Sequence, residues 1–388
     1  MPGVDDITRT VFFVMIWLIT TASPGLGSVL IVDGAGGGEF TTINAALSAA
    51  AAGDTVLIRP GTYHESVRIT SDLSGLWLEG DGGPDNVTVT ADTVAIGAWD
   101  TDPSIHIRAL TVTGSSAFGG LYLQHAKAEI VGCVFRANVG PGECHGVGGG
   151  INASYQSDVQ IEDCVIEANT DWESPGGVII WESHADIRRN TFRNNQACYG
   201  GGLEMYHCET QPVSFVEENV FFGNSADEWG GGLLNVDSSP VIRHNTFYAN
   251  NSVGNAAIWV LGGQPTISEN IIVGSDWGVY CQTDLQYPPS SPVLDCNLFW
   301  NVRLGATYEC NNVGRMIQED PRFCDPAGGN FLLCEDSPAV SDTCGTLGAL
   351  GVGCGPCAQQ TAPTTWGKIK AGRFYRGHGA QGSRPEEL

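Results

Sequence analysis

The hexapeptide NTFYAN, Asn245 to Asn250, sets an aromatic centre between two amides, and the chain writes it repeatedly. NTFRNN (Asn190–Asn195), NVFFGN (Asn219–Asn224), CVFRAN (Cys133–Asn138) and CVIEAN (Cys164–Asn169) are edited copies, and further units begin at Asn270 and Asn297. An aliphatic residue stands three positions before each start: Ile130, Ile161, Ile187, Val216, Ile242, Ile267, Leu294. Two positions after each start comes Phe135, Ile166, Phe192, Phe221, Phe247, Ile272 or Phe299. Apolar residues at period two predict strands. Unit starts 25–31 residues apart, carried through seven units, predict a solenoid. A helical 3.6-residue pattern and the leucine-dense spacing of leucine-rich repeats are both missing. The remaining fold class is all-β: a right-handed parallel β-helix, each unit one rung of about 4.8 Å. In such a stack an inward asparagine meets its copies above and below and hydrogen-bonds them, as amide ladders do. Phe247 is expected in the core.

A second landmark follows each hexapeptide. Glycines at 148–150, 176–177, 200–202, 230–232 and 278 precede alternating strands in which Ile151, Val178, Leu203, Leu233, Ile258 and Val279 should point inward. Positive φ at the corner is the expected reason for the glycines. Near the start, Thr41 or Thr42 can cap a short helix through Ala50 whose alanine-rich face would cover the open end of the core.

The bulk numbers narrow the partners. Eighteen Lys+Arg against 43 Asp+Glu give a net charge of −25, which excludes nucleic acid, since a phosphate backbone needs a basic footprint. Such a surface suits neutral sugars or Ca²⁺; no metal site is assigned. Arg9 followed by the apolar run Val11–Ile19 and Ala22-Ser23-Pro24-Gly25 reads as an export signal over 1–27, although Asp5 and Asp6 are atypical; a buried first strand or uncleaved anchor is the alternative. No later stretch predicts a transmembrane segment in the mature chain. Thirteen cysteines agree with a secreted or cell-envelope location. Cys324, Cys334, Cys344, Cys354 and Cys357 predict disulfides stapling the end of the domain, with zinc the alternative for the CxxC at Cys354 and Cys357. The domain should run over 28–357. Residues 358–388 form a linker and a basic, aromatic tail around Trp366–Arg376, either disordered or docked.

The passage Phe40-Thr41-Thr42-Ile43, Ala46-Leu47, Gly61-Thr62-Tyr63-His64-Glu65 and Gly80-Asp81-Gly82 resembles the opening of secreted pectin-lyase-like β-helix proteins, and most of all that of pectinesterases. The resemblance covers roughly Val29 to Val352 with the repeats counted, and implies the fold and an extracellular polysaccharide or cell-surface glycan as partner. The Q-D-T-L and G-x-V-D-F-I-F-G elements that carry the pectinesterase aspartates are absent, as are the N-T-D and D-D pairs of polygalacturonases.

Candidate chemistry follows from stacking outward positions. Glu182, His207 and Asp237 fall on successive rungs and are the candidate catalytic residues, since carboxylates beside a histidine can do acid/base work. Trp181, Tyr206, Trp259 and Tyr280 share the face with Glu204 and offer flat platforms for sugar rings. Trp172, Trp229 and Trp277, each beside acids, stand at three corners and form either a sugar-binding ridge or lids over neighbouring glycines. Aromatic and acidic residues on such a face can equally be packing against a loop. The functional expectation is engagement of a polysaccharide, with catalysis open. The rivals are an adhesin-like structural spacer and a polysaccharide lyase with an unfamiliar site. No Gly-x-Ser-x-Gly, P-loop or HExxH redirects the class.

Overall fold

The computed structural model describes residues 27–141, 148–172, 174–208, 212–252, 256–284, 287–341 and 343–357. The expected export signal, apart from residue 27, and the expected tail lie outside these residues.

One rung shows how the sequence builds the rest. Phe215–Glu217 is a strand of the first sheet, the chain bends at Asn219, and Val220–Phe222 joins the second sheet. After a second bend at Asn224, Ser225–Trp229 leads through the glycines to Leu233–Val236 in the third sheet, and Val241–Arg243 returns to the first. Pairing is parallel and in register from rung to rung: Val216 with Ile242, Phe221 with Phe247, Leu233 with Ile258. The three sheets hold 11, 11 and 10 strands, which makes about ten turns of a parallel β-helix.

The inward residues are those the repeat predicts. Ile130, Ile161, Ile187, Val216, Ile242, Ile267 and Leu294 are buried, as are Ile151, Val178, Leu203, Leu233, Ile258 and Val279. Phe192, Phe221 and Phe247 stack nearly coplanar, with centroids 4.5 and 4.6 Å apart.

Both amides of the hexapeptide form ladders. Asn190 donates through its backbone N–H (2.9 Å) and its Nδ2 (3.0 Å) to Oδ1 of Asn219. Asn219 repeats this toward Asn245, Asn245 toward Asn270, and Asn270 toward Asn297. The second amide runs Asn138, Asn169, Asn195, Asn224, Asn250, with Nδ2–Oδ1 distances of 2.9–3.1 Å. Each remaining Nδ2 hydrogen goes to a carbonyl of the preceding rung, as from Asn219 to Ile187 O at 2.8 Å. A buried amide left unpaired would cost about 1–3 kcal/mol; here every rung completes its neighbour. Where the ladder starts in cysteines, Cys164 Sγ accepts from the Cys133 N–H at 3.4 Å, and burial raises the Cys164 thiol well above its ordinary range, so it acts as core.

The corner glycines have a different reason from the one expected. Gly200 and Gly230 do adopt positive φ, at 56° and 66°. Their followers mostly lack room instead: a Cβ on Gly232 would stand 2.8 Å from both Phe247 Cδ1 and the Ala257 carbonyl oxygen. The backbone passes so close to the phenylalanine stack that no side chain fits.

At the N-terminal end, the helix α1 (Ile43–Ala49) buries Ile43, Ala46 and Leu47 over the core, with Thr42 Oγ1 accepting from Ala45 N at 3.2 Å. Glu65 accepts from the backbone N–H of Ile43 and Asn44 at 2.8 and 2.9 Å, while Tyr63 donates to the Arg59 carbonyl at 2.9 Å. The residues that carry the pectinesterase-like resemblance thus fasten the cap, which makes them signs of the fold.

Among the described residues four disulfides join Cys281–Cys310, Cys296–Cys344, Cys324–Cys354 and Cys334–Cys357. The stapled segment does not close the end of the coil as expected. It lies along the flank, where Phe323, Phe331, Leu333 and Leu347 pack on Val220, Ile271, Val273 and Leu298 of the second sheet. Those outward aliphatics needed a cover, and the segment supplies it. No helix of the described residues is long and apolar enough to cross a membrane.

Candidate functional site

Each third-sheet strand presents two outward residues, and in-register pairing turns them into two columns running along the axis. One column holds Arg68, Gly97, Tyr122, Asn152, Ile179, Glu204, Leu234, Trp259, Tyr280 and Tyr308. The other holds Trp99, Gln124, Ser154, Trp181, Tyr206, Val236, Leu261 and Gln282. Trp181 and Tyr206 stack at 4.2 Å with 19° between their planes, and both are half-buried, Tyr206 also packing against the cluster around Trp259.

The residue after each of these strands takes a left-handed conformation: Tyr155 (φ 53°), Glu182 (46°), His207 (51°) and Asp237 (41°). The tight turn back into the first sheet imposes this geometry and lines the four side chains up as a row beside the aromatic column. The expected register of Glu182, His207 and Asp237 is therefore the one observed. His207 Nε2 lies 3.9 Å from Asp237 Oδ2, and Asp237 Oδ1 is buried with no hydrogen-bond partner among the described residues. Tyr287 reaches over the row: its hydroxyl lies 3.4 Å from that of Tyr206, and its ring stands edge-on to His207 at 6.2 Å. Burial, first, and the Tyr287 hydrogen bond, second, push the Tyr206 hydroxyl far above its ordinary pKa, so it stays protonated.

Other residues read as one open face turn out to be covered. Trp259 is 5 % exposed, held between Trp229 and Tyr280 at 5.9 and 4.1 Å, with its Nε1 donating to Gln282 at 3.1 Å. It belongs to a satellite apolar cluster with Leu234, Val236 and Leu261, and a sugar cannot reach its ring. Glu204 is 8 % exposed between Ile179 and Leu234; burial, with the nearby Asp171 carboxylate second, pushes its carboxyl up to about 8. The three corner tryptophans are not equivalent. Trp229 pairs with Tyr199 past a register shift, Trp277 pairs with Ala256 and Gly305, and Trp172 is 67 % exposed. Loop lengths differ from rung to rung, so similar local sequence does not give similar height, and they form no common ridge.

Sequence reasoning missed a second aromatic group in the first rungs, made by Arg68, Trp99, Phe118 and Tyr122. The hexapeptide that supplies the register has not begun there. The available signal was the alternation in Ile96-Gly97-Ala98-Trp99 and Leu121-Tyr122-Leu123-Gln124.

A Ca²⁺ site needs several converging oxygens. Among the described residues no three His, Asp or Glu side chains bring ligand atoms within 4.8 Å of one another, so Glu182, Glu204 and Asp237 do not fit the ion as placed. The one converging group, Cys324, Cys334 and Cys354, is consumed by disulfides, which settles the zinc alternative there.

Coil, register and end cap together define a right-handed parallel β-helix, and residues 68–240 match the family described as a right handed beta helix region. No curated protein matches the sequence. Among solved structures the chain is similar to the pectin methylesterase of Aspergillus niger, at 12% identity over 77% of this chain and 91% of that one, with a TM-score of 0.37. It is similar also to the A-module of a mannuronan C-5 epimerase of Azotobacter vinelandii, at 16% identity over 72% and 94%, TM-score 0.38. A PL6 family alginate lyase matches at 16% identity over 84% and 58%, TM-score 0.37.

Proposed function

We propose that this protein engages a polysaccharide along the outer face of its third sheet, outside the cytoplasm. The observation that carries the reading is the Trp181–Tyr206 stack. It is a flat, half-buried apolar surface bordered by polar, titratable side chains. A sugar ring has an apolar face and a polar rim and asks for that combination. Trp99 lies in the same column three rungs earlier, about 14 Å at the usual strand spacing, so an extended glycan parallel to the axis can reach from one to the other. Four disulfides support an oxidising compartment.

A pure spacer has no use for a half-buried aromatic pair beside a histidine and carboxylates. The His207–Asp237 pair beside the platform favours, as a second reading, proton transfer on the bound glycan. Affinity electrophoresis of the purified chain on a panel of neutral and acidic polysaccharides, with unsaturated-uronate absorbance followed in parallel, tests both. Retention by at least one glycan, lost in Trp181→Ala, is expected. Retention by none would refute the proposal. Retention with no product of any kind would remove the second reading alone.

A further inference from the structure

We propose that the groove formed by Arg68, Trp99, Phe118 and Tyr122 recognises the anionic substituent, carboxylate or sulfate, of an acidic polysaccharide. The inference rests on the reading that a glycan lies along the third sheet, and it names the charge of that glycan.

The groove begins with a missing side chain. Gly97 sits between Arg68 and Tyr122 in its column, and a Cβ there would stand 2.6 Å from Trp99 Cζ3. The indole therefore folds back over the gap. Arg68 lies across it, with its guanidinium carbon 4.6 Å from the ring centroid. Phe118, 49 % exposed, and Tyr122 meet edge to face at 6.2 Å and make the other wall of a groove of about 480 Å³.

The charge is the informative part. Most described cations in this acidic chain hold carboxylates, as Arg189 holds Glu162 and Asp163, Arg243 holds Glu217, and Lys127 holds Asp102, while Arg136 and Arg315 turn to neutral partners. Arg68 forms no ion pair among the described residues. Arg68 stands over Trp99 with no hydrogen bond to its guanidinium among the described residues, and a guanidinium edge matches a planar carboxylate or a sulfate through paired N–H···O bonds. The net charge of −25 does not oppose this contact strongly, because repulsion from exposed charges is screened beyond about 8 Å at physiological ionic strength.

Isothermal titration of the full chain against three hexasaccharides of one backbone tests the assignment: hexagalacturonate, its carboxyl-reduced neutral counterpart, and the sulfated form of that counterpart. Wild type should bind at least one anionic hexamer about tenfold tighter than the neutral one. Arg68→Gln should erase that preference, and Arg68→Lys should keep part of it. The stronger of the two anionic arms identifies the substituent. Equal binding of all three hexamers by wild type, or an undiminished preference in Arg68→Gln, would overturn the inference while leaving polysaccharide binding intact. Binding of none of the three would overturn it too, and failure across the wider glycan panel as well would take the parent reading down separately.

Discussion

Two stacks of aromatic rings run along this molecule, one inside the coil and one outside it, and they differ in what surrounds them. Phe192, Phe221 and Phe247 are fully buried at 4.5–4.6 Å spacing, flanked by asparagine ladders that leave no donor idle. Trp181 and Tyr206 repeat nearly the same spacing, 4.2 Å, but are only half-buried. Parallel register produces both. The interior stack is where stability is concentrated. On the exterior, register merely lines residues up, and whether they become core or binding surface is decided by the loops. Around Trp259 a satellite core forms, with Tyr206 packed at its edge, and Trp181 stays half-buried beside it.

Substitutions that should behave oppositely on the two sides sharpen this contrast. The largest effect belongs to the interior: Phe247→Ala should cost about 3–5 kcal/mol in a denaturant titration. Trp259→Ala should fall in the same range despite its outward position, since the ring is sealed. A loss near zero at Trp259 would show that the satellite cluster does not contribute.

An intermediate, pH-dependent effect is expected at Glu204. Its carboxyl is neutral in the folded protein until about pH 8, whereas its ordinary value is 4.5. Unfolding therefore releases a proton between those values, so the contribution of Glu204 to stability falls as pH rises through that window and levels off above about 8. Glu204→Gln, which cannot ionise, should narrow the stability difference between pH 5 and pH 8 by a few kcal/mol, at about 1.4 kcal/mol per pH unit. Identical pH profiles for wild type and variant would contradict the assigned burial.

The smallest change in stability belongs to the open stack. Trp181→Ala should lower melting only slightly, within the roughly 0.5–1.5 kcal/mol of one aromatic pair beyond area burial, yet weaken glycan retention about tenfold. A large loss of stability with unchanged retention would move Trp181 into the core class and off the binding surface.

The same contrast explains what could be read beforehand. Like residues at a fixed interval must lie over one another in a parallel coil, so Asn190, Asn219, Asn245 and their aliphatic partners announced the fold and the inward set. The row of Glu182, His207 and Asp237 was legible for the same reason, because it sits a fixed count after the glycines. Burial of outward residues was not. The closure over Trp259 and Glu204 depends on loops of unequal length, and no local pattern encodes which rung a loop will cover. Arg68 and Trp99 stayed hidden because the first rungs lack the hexapeptide. The position of the disulfide-stapled segment was also illegible, since cysteine spacing records neither partner nor destination.

Oxidative footprinting of the full chain, with and without the polysaccharide that retains it most strongly, tests the two-stack account most directly. Trp181 and Trp99 should be labelled in the free protein and protected in the complex, while Phe247 and Trp259 stay unlabelled in both. Equal labelling of Trp181 with and without the polysaccharide would contradict the proposed binding face, and labelling of Trp259 in the free protein would contradict the sealed exterior on which the contrast rests.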